Sequence, residues 1–195
     1  VWPQVVYDDN RYRTRSAVNM ADEIEHAFRV DPYPYRSYYF DDDTWNIGDK
    51  RLVAFADEII RRGLDHIPWG AMSRADTMKK STLEQLRRAG MAAIKYGVES
   101  GNQKVVDDSG KRLNLQTLRD MMKFTHSLGI KTHLTFSFGL PGETKQTMQE
   151  TLDLALECDP HTVQFSISTP FPGTRFYDWA KEKNLLLTTD FSAFD

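Results

Sequence analysis

A strand-then-helix alternation, repeating at about 30 residues per step, constrains this chain more than any other feature. Ser16 to Arg29 carries Val18, Ala21, Ile24, Ala27 and Phe28 at helical spacing, and Ser37 to Asp41 reads as a strand. Leu52, Phe55, Ala56, Ile59 and Ile60 mark the next helix, with Gly63 as its stop. Ile67 to Met72 is the second strand. Ser81-Thr82-Leu83-Glu84 has the form of a capping box, opening a helix that ends at Gly90. Ala93 to Val98 is a strand. Asn114 opens a helix with Leu115, Leu118, Met121, Met122 and Leu128, closed by Gly129. Lys131 to Phe138 is a strand, Thr144 to Cys158 a helix, Thr162 to Ser168 the last strand and Thr174 to Asn184 the last helix. Five strands and six helices in strict alternation predict a parallel sheet with right-handed crossovers. The alternation begins on a helix. The expected fold is therefore α/β, a partial (β/α) barrel lacking its first strand, forming one domain over residues 1–195.

The two faces of the strands differ. Leu134, Phe136 and Phe138 are expected to face helices, while His133, Thr135 and Ser137 share the other side. Val163, Phe165 and Ile167 oppose Gln164, Ser166 and Ser168, and Ile94, Tyr96 and Val98 oppose Lys95, Gly97 and Glu99. Closed barrels fill their interior with aliphatic layers. A polar inner face costs free energy unless it is solvated or paired. The pattern predicts an open barrel around a polar ligand; an amphipathic sheet with one wet face is the plainer alternative.

Composition narrows the function classes. The net charge is −3, with 40% hydrophobic and 12% aromatic residues, so the chain is globular and has no electrostatic reason to bind nucleic acid or an anionic membrane. No apolar run approaches the ~18 residues of a transmembrane segment. Cys158 is the single cysteine, which excludes an internal disulfide and a cysteine-rich metal site and fits a reducing, cytoplasmic location. The five histidines make no metal-ligand spacing, and only His133 points into the presumed cavity. No phosphate loop, dinucleotide fingerprint or nucleophile elbow is present.

Barrel enzymes place their chemistry at the carboxyl ends of strands. The first visible strand ends Asp41-Asp42-Asp43-Thr44-Trp45, either paired carboxylates for an ammonium or metal, or a solvated loop. Met72-Ser73-Arg74-Ala75-Asp76 offers Arg74 as a fork for a carboxylate, or as half of a surface ion pair. Gly97-Val98-Glu99-Ser100-Gly101 places Glu99 before small residues, which suits sugar hydroxyls or simply a locally hydrogen-bonded Glu. Phe138-Gly139-Leu140-Pro141-Gly142-Glu143-Thr144 forces a tight turn and allows close backbone approach. Thr169-Pro170-Phe171-Pro172-Gly173-Thr174 is stiff backbone that either presents carbonyls to a flat ring or is only a rigid loop.

Gly97 to Gly101, Gly139 to Thr144 and Pro170 to Thr174, in this order and spacing, resemble the later barrel strands of the radical S-adenosylmethionine (SAM) superfamily. The resemblance covers nearly all of the chain. Asp41 to Trp45 and the opening Val1-Trp2-Pro3-Gln4 are most similar to the cobalamin-binding subgroup, which includes methyltransferases and a ring-forming oxidoreductase of chlorophyll synthesis. The resemblance implies SAM and a 4Fe–4S cluster as cofactors, with reductive cleavage of SAM to a 5′-deoxyadenosyl radical. It further implies cobalamin held by a separate N-terminal domain, and a small-molecule or lipid- or tetrapyrrole-like substrate. In that family a Cys-x-x-x-Cys-x-x-Cys loop holds the cluster, and this chain lacks it. Val1-Trp2-Pro3 resembles the segment just after the third cysteine, so the resemblance implies a truncated domain, inactive alone, with three cysteines directly ahead of Val1.

Roles carried over by position put Asp41 or Asp42 on the methionyl amino group of SAM and Arg74, rather than Met72, on its carboxylate, where Lys111 also falls. Glu99, with Ser100 beside it, takes the ribose hydroxyls. Thr135 stands on the ribose side, and Phe138, Gly139 and Leu140 flank adenine. No catalytic residue or metal ligand is assigned. Two alternatives remain open: a different (β/α)-barrel enzyme, such as a phosphate-site or Schiff-base lyase using Lys95, and a non-catalytic barrel scaffold.

Overall fold

The computed structural model describes residues 13–190 and residue 192. The opening Val1-Trp2-Pro3-Gln4 lies outside them. Helix α1 spans Ala17–Arg29 and starts where Ser16, in extended conformation, accepts a hydrogen bond from the Asn19 amide at 3.1 Å. Its apolar stripe buries Met20, Ala21 and Ile24, whereas Val18 stays exposed. Strand β1 is short, Tyr38–Phe40. Helix α2 (Asp49–Arg61) buries Leu52, Phe55, Ala56 and Ile59, each worth roughly 1.5–3 kcal/mol for the larger side chains. Ile60 lies on its wet side. Strand β2 (Trp69–Ser73) leads through a 3-10 turn to α3 (Lys80–Arg88).

The start of α3 corrects the capping-box expectation. Lys79, not Ser81, occupies the cap position, and no side chain caps this helix. Thr82 instead donates to Asp49 at the start of α2, and Lys79 Nζ reaches the same carboxylate at 2.9 Å. A tertiary acceptor has taken the hydroxyls' place in the local motif.

Strand β3 (Met91–Glu99) is followed by two helices, α4 (Gln103–Asp108) and α5 (Leu115–Ser127). The described residues thus hold seven α-helices rather than six. Six residues make too short a helix for periodicity to announce α4, yet Asn102 caps it as Asn114 caps α5. Strand β4 (Lys131–Phe138) leads to α6 (Lys145–Cys158), whose cap Thr144 exchanges side-chain and backbone bonds with Thr147. Strand β5 (Thr162–Ile167) and α7 (Arg175–Glu182) complete the described chain.

All four strand pairs are parallel, in the order β1-β2-β3-β4-β5. The sheet is open, as the alternation predicts. Ile94, Tyr96, Val98, Leu134 and Phe136 are buried on its convex side. There α3 covers β3, and α5 and α6 cover β4. Tyr38, Phe40, Trp45, Phe55 and Trp69 form one aromatic cluster, with the Trp45 and Trp69 rings 5.2 Å apart. Trp45, which the sequence joins to a polar strand end, is fully buried core. The concave side carries Lys95, Gly97, Glu99, His133, Thr135 and Ser137, none fully buried, so the polar inner face is real.

Strand β5 departs from expectation. Every one of its residues is exposed, and Val163, Phe165 and Ile167 are not covered by a helix. Phe165 stacks on Phe136 and Phe138, whose rings it meets at 5.4 Å. Helix α7 does not lie across this strand. Its Arg175 instead reaches the Gly110 loop on the far side of β4. No helix among the described residues is long and apolar enough to cross a membrane.

Candidate functional site: a carboxylate and a lysine over a bulged strand end

The register between β3 and β4 shifts between Gly97 and Glu99, so that Gly97 faces Thr135 and Glu99 faces Phe136. A bulge of this kind re-aims the side chain that follows it. Glu99 adopts φ 76°, a left-handed conformation that costs a non-glycine residue about 1–3 kcal/mol. The result is a carboxylate turned onto the concave face at the carboxyl end of the strand. Its Oε1 accepts from Lys111 Nζ at 2.7 Å and its Oε2 from Ser137 Oγ at 2.8 Å. Glu99 is 32% and Lys111 17% exposed, so the pair is screened from water without being sealed.

Lys111 reaches back because its loop is folded tightly. Gly110 and Arg112, on either side of it, both have positive φ. The Lys111 carbonyl accepts from Arg74 Nη2 at 2.8 Å. Arg74 is itself fixed. Its guanidinium forks onto Asp76 at 3.0 and 2.6 Å, and its backbone is bracketed by the buried Asn46 amide, with two bonds of 2.8 Å. The fork holds Asp76, the ion-pair alternative that the sequence offers, and its Nη2 also braces the Lys111 carbonyl. Asn46 escaped sequence reasoning, since nothing distinguishes it from the polar loop around it.

The remaining expected residues divide. Thr135 belongs to the cluster: a β-carbon built on Gly97 would lie 3.6 Å from both Thr135 Oγ1 and Glu99 Oε1. Asp41 and Asp42 stand exposed beyond β1; Asp41 lines the concave cavity, away from Glu99. Ser100 is fully buried and faces α6, where its hydroxyl meets Thr151 Oγ1 at 3.3 Å and the Asn102 amide at 3.2 Å. Its hydroxyl is thus engaged by the loop and α6. The Phe138 ring stacks on the convex side against Phe165, so only its backbone borders the mouth. Gly139, at φ 85°, donates its amide to Glu143 Oε2 at 2.5 Å, and the Leu140 carbonyl accepts from the Glu143 amide at 3.1 Å. Glu143 thereby closes the Gly-Leu-Pro-Gly turn on itself.

The Radical SAM superfamily model matches residues 7–155. The chain belongs to the radical SAM superfamily. The match places the chain in that superfamily and not among Schiff-base or phosphate-site barrel lyases. An uncharacterised methyltransferase of Pyrococcus horikoshii is 31% identical over 184 residues, covering 94% of this chain and 39% of that relative. The anaerobic magnesium-protoporphyrin IX monomethyl ester cyclase of Cereibacter sphaeroides is 29% identical over 175 residues, covering 88% of this chain and 28% of the relative. Among solved structures, the radical SAM methyltransferase TsrM from Kitasatospora setae, with cobalamin and a 4Fe–4S cluster bound, superposes with a TM-score of 0.78 at 19% identity, over 89% of this chain and 32% of that one. The fold is thus the family's partial barrel. The radical SAM chain spans well under half the length of these relatives.

Membership implies SAM and a 4Fe–4S cluster as cofactors. The site's donor set fits the first. Glu99 uses two of about four lone-pair positions and Lys111 one of three N–H groups, so both retain capacity for a nucleoside and its amino-acid tail. The cluster does not fit the residues present. The 195 residues contain one cysteine, Cys158, buried on α6 with its thiol pushed up to about 11, chiefly by burial. No group of three potential metal ligands exists among the described residues.

Proposed function

We propose that residues 1–195 act as one domain, the nucleoside-binding wall of a radical SAM enzyme, a cobalamin-dependent methyltransferase or oxidoreductase whose cobalamin is carried by another domain. The methyltransferase and cyclase names of the relatives and the cobalamin in TsrM support that class. SAM, once bound, supplies a sulfonium whose reductive cleavage to a 5′-deoxyadenosyl radical is the chemistry of the family.

The observation that carries the reading is Glu99, held left-handed at a bulged strand end between Lys111 and Ser137. Strain of that kind persists where surrounding contacts over-determine it, and such places cluster at ligand clamps. In this reading Glu99 accepts from the ribose hydroxyls, with Thr135 beside it. Lys111 contributes the cation that faces the methionyl carboxylate. Asp41 accepts from the methionyl ammonium, and the backbone from Phe138 to Leu140 borders adenine. The Glu99–Lys111 pair keeps each charge compensated until the ligand arrives.

Equilibrium binding of SAM and of S-adenosylhomocysteine tests this. Glu99→Ala should weaken both about tenfold or more, as expected for a lost hydrogen bond to a charged group. Asp178→Ala on α7 should leave both unchanged. Equal losses in the two variants would take Glu99 out of the site.

A further inference from the structure

A second feature of the concave face adjoins the proposed nucleoside site and shares Asp41 with it. A cavity of about 470 Å³ lies beside the amino-terminal halves of β3 and β4 and the carboxyl ends of β1 and β2, with Lys95, Lys131, His133, Gln164, Met72 and Asp41 among its walls. Lys95 stands at its centre. Strands pair on both sides of it, with Met72 opposite on β2 and His133 opposite on β4. Lys95 is partly buried, and no hydrogen bond or ion pair engages its ammonium among the described residues. Lys111, the other lysine of this face, is paired with Glu99. The Lys95 ammonium keeps contact with the solvent of the cavity and has no counter-charge bonded to it there, so an anion entering the cavity would meet an unmatched cation.

The surroundings agree. His133 shares a hydrogen with Thr162 Oγ1 at 2.7 Å, and burial, followed by the charge of Lys95, holds its imidazole below the ordinary value. The positive field of Lys95 is thus felt by its neighbour and not cancelled. Lys131 adds a second cation at the rim. Asp41, the carboxylate among these walls, lies on the β1 side, where it raises the Tyr39 hydroxyl after burial has done so, and it does not bond Lys95. Cation and carboxylate therefore sit on different walls, with the thioether of Met72 between them.

We propose that Lys95, with His133 beside it, anchors an anionic group of the substrate, a carboxylate or a phosphate ester, while Met72 meets its apolar body. The proposal rests on the nucleoside reading in that it names the substrate class of the same lumen. It concerns residues that the SAM site does not use.

Three probes of one shape test it on the intact chain: 2-naphthoate, 2-naphthyl phosphate and the neutral 2-naphthol, titrated by calorimetry. At least one anion should bind tighter than 2-naphthol, and whichever anion is favoured identifies the group. Lys95→Gln should weaken the favoured anion about tenfold and leave 2-naphthol unchanged. Lys95→Arg should keep anion binding within about threefold, because the charge remains. In the unsubstituted protein, the ¹⁵N resonances of His133 should move with the anion and not with 2-naphthol, which reads the contact even if a variant does not fold. Equal affinity for all three probes overturns the proposal, as does an anion affinity indifferent to Lys95→Gln. SAM affinity, measured alongside, should be the same in Lys95→Gln as in the parent. Anion binding through Lys95 in a chain that fails to bind SAM would sink the nucleoside reading and leave this one standing.

Discussion

Gly97 and Lys111 claim the same volume: a β-carbon on Gly97 would stand 2.7 Å from Lys111 Nζ. The bare backbone at Gly97 lets the ammonium lie over β3 and reach Glu99. Behind it runs a line of fixed groups, from Asn46 through Arg74 to the Lys111 carbonyl, joining the ends of three neighbouring segments. The carboxylate and the lysine are therefore placed by backbone geometry and not by each other alone.

Gly97→Ala tests that placement. Gly97 does not use a left-handed φ, so alanine fits the backbone, and its methyl displaces only the end of a flexible side chain. Stability should change by no more than about 1 kcal/mol, the usual worth of a partly exposed ion pair. SAM affinity should nonetheless fall severalfold. Urea midpoints and binding isotherms on the same samples check the two halves, and an unchanged affinity counts against the cluster.

Gly101→Ala should behave in the opposite way. There the added β-carbon would meet backbone of α6 directly, with Glu150 O at 2.3 Å and Thr151 Cα at 2.5 Å. Backbone cannot step aside without moving α6 off β4. A loss of about 3 kcal/mol or more is expected in chemical denaturation. A neutral result would mean that the loop after Glu99 is looser than the packing indicates.

Tyr96→Phe isolates one buried hydrogen bond. The Tyr96 hydroxyl meets Thr125 Oγ1 at 3.2 Å on the covered side of β3, and Thr125 also bonds the Met121 carbonyl at 2.7 Å. Thr125 thus keeps a partner when the phenol is removed. The expected loss is about 1 kcal/mol, read as a shift in urea midpoint without a change in slope.

Acid should loosen the packing of α1 on α2. Glu58 bonds Arg61 and then Arg62, which hold its carboxyl down from 4.5 to about 2, and Arg62 also reaches Asp22 and Glu25 of α1. The unfolded chain binds a proton at Glu58 before the folded one does. The stabilisation is therefore complete above pH 4.5 and lost as pH falls toward 2. Melting temperatures followed over that window should drop more steeply in the parent than in Glu58→Gln, and parallel curves would argue against the network.

Much of this was legible in the sequence because the signals were local. Ser16, Asn114, Thr144 and Thr174 each cap the helix that their position predicts. Alternation along β3 and β4 separates the buried Ile94, Tyr96, Val98, Leu134 and Phe136 from the cavity-facing Lys95, His133 and Thr135; Thr132, expected off the buried face, is itself buried, bonded to His126 and His161. Glu99, Lys111 and Thr135 do converge, although Lys111 sits in a loop where periodicity is silent. Less legible were side-chain partners distant in sequence. Thr82 is drawn to Asp49, the Arg74 guanidinium to the Lys111 carbonyl as well as its neighbour Asp76, and Ser100 to Thr151; of these only Asp76 is near in sequence. The distant partners cannot be weighed from spacing along the chain. Strand β5 shows the same limit: its apolar residues alternate as though covered, but coverage depends on where α7 goes.

The strand order, each pairing with the one made just before it, has a consequence for biogenesis. A ribosome releasing this polypeptide need never hold a segment in reserve for a later arrival. Every βα unit can settle on the growing margin as it emerges, and most closures span only a few dozen residues, which favours rapid folding. Among the described residues, β5 is the last strand laid onto that sheet.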